Sequence, residues 1–231
     1  MRISIISSLC ILVSTFSINS PKPICRRNLM KMASAPMISS PIVLGNPMNS
    51  SATSEEVVIE PLSLYFYGAV TDESCLALTQ ALGAYDLKAK HQKISFPSIS
   101  PHIDLHIQSG GGSLMPTFFV CDVIKNLDTP VHIYIDGFAA SAASLIAVCG
   151  KKRYITKHSS MMIHQLTGAS SGKFQELANE MANFKFFMDL VKDIYISNTK
   201  LNGTLLEELL SGDIWLDANK CLKYGMIDKI I

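Results

Sequence analysis

Three side chains of this 231-residue chain have the types needed for acyl transfer: Ser141, His164 and Asp213. Ser141 lies in Gly137-Phe138-Ala139-Ala140-Ser141-Ala142-Ala143-Ser144, where small residues let the chain turn tightly from a strand pattern into a helix pattern. That turn puts the hydroxyl at or near a helix N-terminus, where free N–H groups and the helix dipole stabilise an oxyanion. Gly110, Gly111 and Gly112 also separate a strand from a helix, and can offer a second N–H through close backbone approach. A serine hydroxyl is a poor nucleophile without a base. His164 ends the apolar run Met161-Met162-Ile163 and can project from a strand end into a cleft. Asp213 sits in Gly212-Asp213-Ile214-Trp215-Leu216, as an orienting acid or simply a loop cap. Each residue has such a plainer reading; His106 and His132, on alternating strands, read as satisfied polar residues. No spacing rule joins the three, because a triad is defined by geometry and not by sequence order.

The elements that must position them follow from periodicity. Val57 to Val70 is β-rich, and Thr71-Asp72-Glu73 caps a helix with Cys75, Leu78, Leu82 and Tyr85 on one face. Lys88 to Pro101, polar and with two prolines, reads as a loop or insertion. Ile103, Leu105 and Ile107 alternate with polar residues in a second strand, followed by a helix over 114–126. Val131, Ile133 and Ile135 repeat the unit, Asp136-Gly137 breaks the strand, and 139–148 is helical. Arg153 to Thr156 and Met161 to Ile163 are β-like. Phe174, Leu177, Met181, Phe184, Met188, Val191 and Tyr195 then recur at helical spacing, a stripe for core and subunit contact. Short helices at 205–210 and 217–224 follow, with Gly225 as C-cap. The alternation predicts an α/β fold in a single domain, 55–231.

Charge is uneven along the chain. No Asp or Glu precedes Glu55, whereas Arg2, Lys22, Arg26, Arg27 and Lys31 all do, so the remainder is mildly acidic and nothing points to nucleic-acid binding. Residues 3–16 form an apolar run too short to span a bilayer comfortably, and Ser/Met/Pro-rich sequence follows it. Residues 1–54 read as a removable presequence, a signal followed by a transit-like segment, the address of a plastid protein in an alga with complex plastids; a secretory signal with a pro-segment is the alternative. No membrane anchor is expected in the mature form. Cys75, Cys121, Cys149 and Cys221 sit singly among apolar residues with no C-x-x-C pair, and read as reduced core thiols.

Taken in order, Ile107-Gln108-Ser109-Gly110-Gly111-Gly112-Ser113, Asp136 to Ala142, Met161 to Gln165, Asp213 with Trp215-Leu216-Asp217-Ala218, and Tyr224-Gly225-Met226-Ile227-Asp228 resemble the successive signatures of the Clp protease proteolytic subunit. The likeness covers roughly 57–231. It implies a crotonase-like fold of repeated strand-strand-helix units, Ser141 as nucleophile, His164 as base, Asp213 as acid, and Gly111 and Ala142 as oxyanion donors. It implies no cofactor or metal. It also implies two stacked heptameric rings of Clp core subunits, a tetradecamer, fed with unfolded polypeptide by an AAA+ unfoldase. Departures from the pattern are Gly110 where the family has Pro, Ala142 where it has Met, a slightly shorter connection near Gly150-Lys151, and Leu166 to Gly172 in place of the docking strand's Pro and paired glycines. Most of the gate hairpin and first helix are missing before Val57, and 88–101 is extra. A structural or catalytically weak ring subunit, a crotonase-type acyl-CoA enzyme, and a Ser-Lys peptidase using Lys151 or Lys152 are the competing readings.

Overall fold

Five strands lie side by side and parallel: β1 (Ser63–Tyr67), β2 (Ile103–Ser109), β3 (Val131–Ala140), β4 (Lys152–Ile155) and β7 (Lys229–Ile230), in the order β1-β2-β3-β4-β7. This is a computed structural model, and it describes residues 60–231; the expected presequence, 1–54, lies outside them. Parallel neighbours need long crossovers, and α1 (Asp72–Ser95), α2 (Leu114–Asn126) and α3 (Ala142–Val148) supply the first three. Ile103, Leu105 and Ile107 of β2 and Val131, Ile133 and Ile135 of β3 are buried on the face that takes the helices. Each such side chain contributes roughly 1.5–3 kcal/mol over an exposed one. The other face carries Asp104, His106 and Tyr134, as the alternation requires.

Two elements run further than the sequence suggests. The first helix continues through Ser95, so the loop expected over 88–101 begins only at Phe96. Nothing before Pro97 breaks it: 88–93 are helix formers apart from His91, Ala89 is fully buried, and Lys90 bonds to Asp86 one turn earlier at 2.7 Å. Strand β3 likewise passes through Gly137 instead of ending there. It pairs with β4 over His132–Ile135 and then with β5 (Ser160–Ile163) over Phe138–Ala140. Gly137, at φ +88°, makes that change of partner, and the helix starts only at Ala142.

The C-terminal third packs on this core through α4 (Phe174–Asn198), α5 (Gly203–Leu210), β6 (Ile214–Asp217) and α6 (Ala218–Lys223). After α6, Gly225 at φ +67° donates to the Leu222 carbonyl while Met226 donates to that of Cys221, a Schellman ending. Helix α4 divides in two. Val191 and Tyr195 are buried, but Phe174 is 85% exposed and Met181 68%, so the start of the stripe is uncovered among the described residues. Cys75, Cys121, Cys149 and Cys221 are all buried. No helix among the described residues is long and apolar enough to cross a membrane.

Candidate active site

Ser141 is the single residue between β3 and α3, and the turn is forced. Its backbone sits at φ 55°, ψ −128°, a region that costs a non-glycine residue about 1–3 kcal/mol. The surroundings over-determine it. The Ser141 N–H donates to the Met162 carbonyl of β5 at 2.8 Å. Its own carbonyl accepts from the Ser144 N–H at 2.9 Å and the Ser144 hydroxyl at 2.5 Å. That hydroxyl in turn meets Tyr195 Oη at 2.7 Å, in the buried half of α4. Burial pushes the Tyr195 phenol far above its ordinary pKa, so it stays protonated as a hydrogen-bonding post.

His164 follows the last residue of β5, and its Nε2 lies 2.7 Å from Ser141 Oγ, within reach for direct proton transfer. The β5–β6 ladder is antiparallel with Ile163 opposite Ile214, so one step further His164 faces Asp213. Asp213 Oδ1 stands 3.5 Å from His164 Nδ1, longer than an ordinary hydrogen bond, and its side chain is 79% exposed. The Ser141 hydroxyl and the His164 imidazole are thus closed on each other, and Asp213 stands beside them on an open loop. Strand β6, which the sequence reading missed, is what brings Asp213 opposite His164. Its signal was the short apolar run Ile214-Trp215-Leu216, overlooked beside the Gly212-Asp213 turn.

The glycine loop passes close against Ser141. A Cβ at Gly111 would come within 2.7 Å of both the Ala140 carbonyl and Ser141 Cβ, and at Gly112 within 2.1 Å of the Val70 carbonyl. Gly111, expected as an oxyanion donor, has its N–H turned to Ser109 Oγ at 3.1 Å. The N–H groups of Gly112 and Ala142 have no acceptor among the described residues, and both residues line the cleft. That cleft, about 290 Å³, is also bordered by Ser141, His164, Thr167 and Tyr195. A hydroxyl in contact with an imidazole, one free N–H at the start of α3 and another from the glycine loop are the parts of an acyl-transfer site.

The profile of the Clp protease family matches residues 64–231, which include all of these groups. The chain belongs to the Clp protease family. Members of it are serine peptidases, and this chain is one. Among curated relatives of this Clp protease, proteolytic subunit 1 of the ATP-dependent Clp protease of Chlamydia muridarum is 27% identical over 178 residues, covering 75% of this chain and 88% of the relative. The corresponding Chlamydia pneumoniae subunit is 29% identical over 181 residues, 77% and 90% of the two chains. The Porphyromonas gingivalis proteolytic subunit is 32% identical over 137 residues, 56% and 59%. The crotonase-like architecture expected from the resemblance is that of this family, and the mixed α/β sheet described above agrees with it.

Proposed function

We propose that the chain is the proteolytic subunit of an ATP-dependent Clp-type protease and cleaves peptide bonds of unfolded polypeptides through Ser141, His164 and Asp213. The observation that carries this reading is the 2.7 Å contact between His164 Nε2 and Ser141 Oγ at a strained strand-to-helix turn. With the Nδ1 proton directed at Asp213, Nε2 takes the hydroxyl proton as Oγ bonds to the scissile carbonyl carbon. The carbonyl oxygen becomes an oxyanion held by the Ala142 and Gly112 N–H groups. The C–N bond then breaks, His164 returns its proton to the departing amine, and water repeats the sequence to release the acid. Each oxyanion donor is worth ~3–4 kcal/mol in the transition state. Gly111 serves by its missing side chain, which lets the loop approach.

Assembly into heptameric rings, stacked as a tetradecamer and served by an AAA+ unfoldase, is proposed with it. The exposed apolar side chains in the first half of α4 support a subunit interface, since a monomer gains nothing by exposing Phe174, Met181 and Phe186. Residues 1–54 act in this reading as a presequence directing the chain to a plastid, and 55–231 as the peptidase domain, on the strength of the acid-free, basic leader. Hydrolysis of a short fluorogenic peptide by the full chain, abolished in Ser141→Ala, is the expected result. Equal rates in the two proteins would overturn the assignment.

A further inference from the structure

The sheet face opposite the helices holds two sets of histidines and carboxylates, and they are built differently. Asp136 is satisfied: its Oδ2 accepts from Tyr67 Oη at 2.7 Å and meets His106 Nδ1 at 2.7 Å. Asp104 is not. Its Oδ1 is buried yet has no hydrogen-bond partner among the described residues, and a buried acceptor left unpaired costs about 1–3 kcal/mol. Two imidazole nitrogens flank that oxygen just beyond hydrogen-bond range, His102 Nε2 at 3.4 Å and His132 Nδ1 at 3.9 Å. One ligand atom from each of the three residues lies within 4.8 Å of the other two.

The strands produce this convergence. His102 and Asp104 are two residues apart at the start of β2 and share a face, and Asp104 pairs across to His132 of β3. The two rings stack, with centroids 4.1 Å apart. Metal bonds of about 2.0–2.2 Å at tetrahedral angles set donor atoms about 3.4 Å apart. The His102–Asp104 spacing matches that edge, and the His132–Asp104 spacing exceeds it by a few tenths of an ångström. His132 is held at 9% exposure, whereas the His102 side chain is 42% exposed, so the outer ligand has room to adjust.

We propose that His102, Asp104 and His132 bind one divalent transition-metal ion of the zinc class, with the remaining position open to water. Two imidazoles and one carboxylate suit Zn²⁺ or Co²⁺ better than Ca²⁺ or Mg²⁺, which favour oxygen ligands. Lys152, the cross-strand neighbour of His132, is exposed, so solvent screens its charge. The bound ion joins the entry of β2 to β3 and meets Asp104 Oδ1, which no donor among the described residues satisfies.

The test is titration of the full chain with Co²⁺, read by its visible absorption and then displaced by Zn²⁺. One ion per chain is expected in wild type and in His164→Ala. His102→Ala, at an exposed position, and Asp104→Asn, which keeps the side-chain shape, should each weaken binding at least about tenfold, since even outer-shell partners cost 10–100-fold. Zn²⁺ should raise the melting temperature of wild type and not of either variant, with fluorophosphonate labelling unchanged. Binding unaltered in both variants, loss of binding in His164→Ala, or no Co²⁺ spectrum at all would each overturn the proposal.

Discussion

The two ends of the proposed catalytic row, Ser141 and Asp213, are built to different standards. Ser141 is fixed by a donor bond to β5, by two bonds onto its carbonyl from Ser144, and through Ser144 by Tyr195 of α4. Asp213 stands on an exposed loop at 3.5 Å from its histidine. The nucleophile is held by the parallel sheet and the first turn of α3, which one chain completes alone. The acid depends on a short ladder, β5 with β6, at the margin of the domain. Preorganisation is therefore an intrinsic property of the oxyanion end, while the acid end is open to tightening by whatever covers 166–173 and the first half of α4.

Asp213→Asn carries the largest of the expected effects short of removing the nucleophile, about 10⁴ in kcat in the assembled enzyme, by misplacing the His164 proton. The loss should be smaller in dissociated chains, where the 3.5 Å contact is not closed. An equal loss in both states would erase the contrast between the two ends. At the rigid end, Gly111→Ala meets backbone and Ser141 Cβ at 2.7 Å from a φ of +91°, so the nucleophile must shift. A displacement near 1 Å is worth about 10² in rate; active-site labelling kinetics beside a melting curve would separate misplacement from unfolding. Tyr195→Phe removes one post under Ser144 and should lower kcat about tenfold at constant KM, the equivalent of one net hydrogen bond. A change confined to KM would place Tyr195 in substrate binding instead.

The smallest effect concerns stability. Burial pushes the Asp228 carboxyl up, but bonds from Arg153 more than offset this and hold it below its ordinary value. A folded pKa below the unfolded one stabilises the protein above about pH 4, and that contribution is lost as pH falls through the folded value. Urea midpoints of Asp228→Asn should therefore vary less than wild type below pH 4, and the two proteins should show the same slope above pH 5.

Much of this was legible in the residues. Alternation at 103–107 and 131–135 gave the parallel core strands, and small residues about Ser141 marked the turn. The missed features depended on partners that no local pattern contains. Strand β3 continues past Gly137 because β5 is there to pair with it, and α1 outruns its expected end because Ala89 finds a buried site. The meeting of His164 with Asp213 rests on a register between segments about 50 residues apart. Which glycine N–H is free was decided by the Ser109 hydroxyl, whose direction the sequence does not specify.

If the fold alone arms Ser141, treatment of the purified full chain with a fluorophosphonate, followed by peptide mapping, will reveal it. A single adduct on Ser141 Oγ, absent in Ser141→Ala and much slowed in His164→Ala, is the predicted result; an intact Ser141 after exhaustive treatment, or an adduct on another serine, would contradict it.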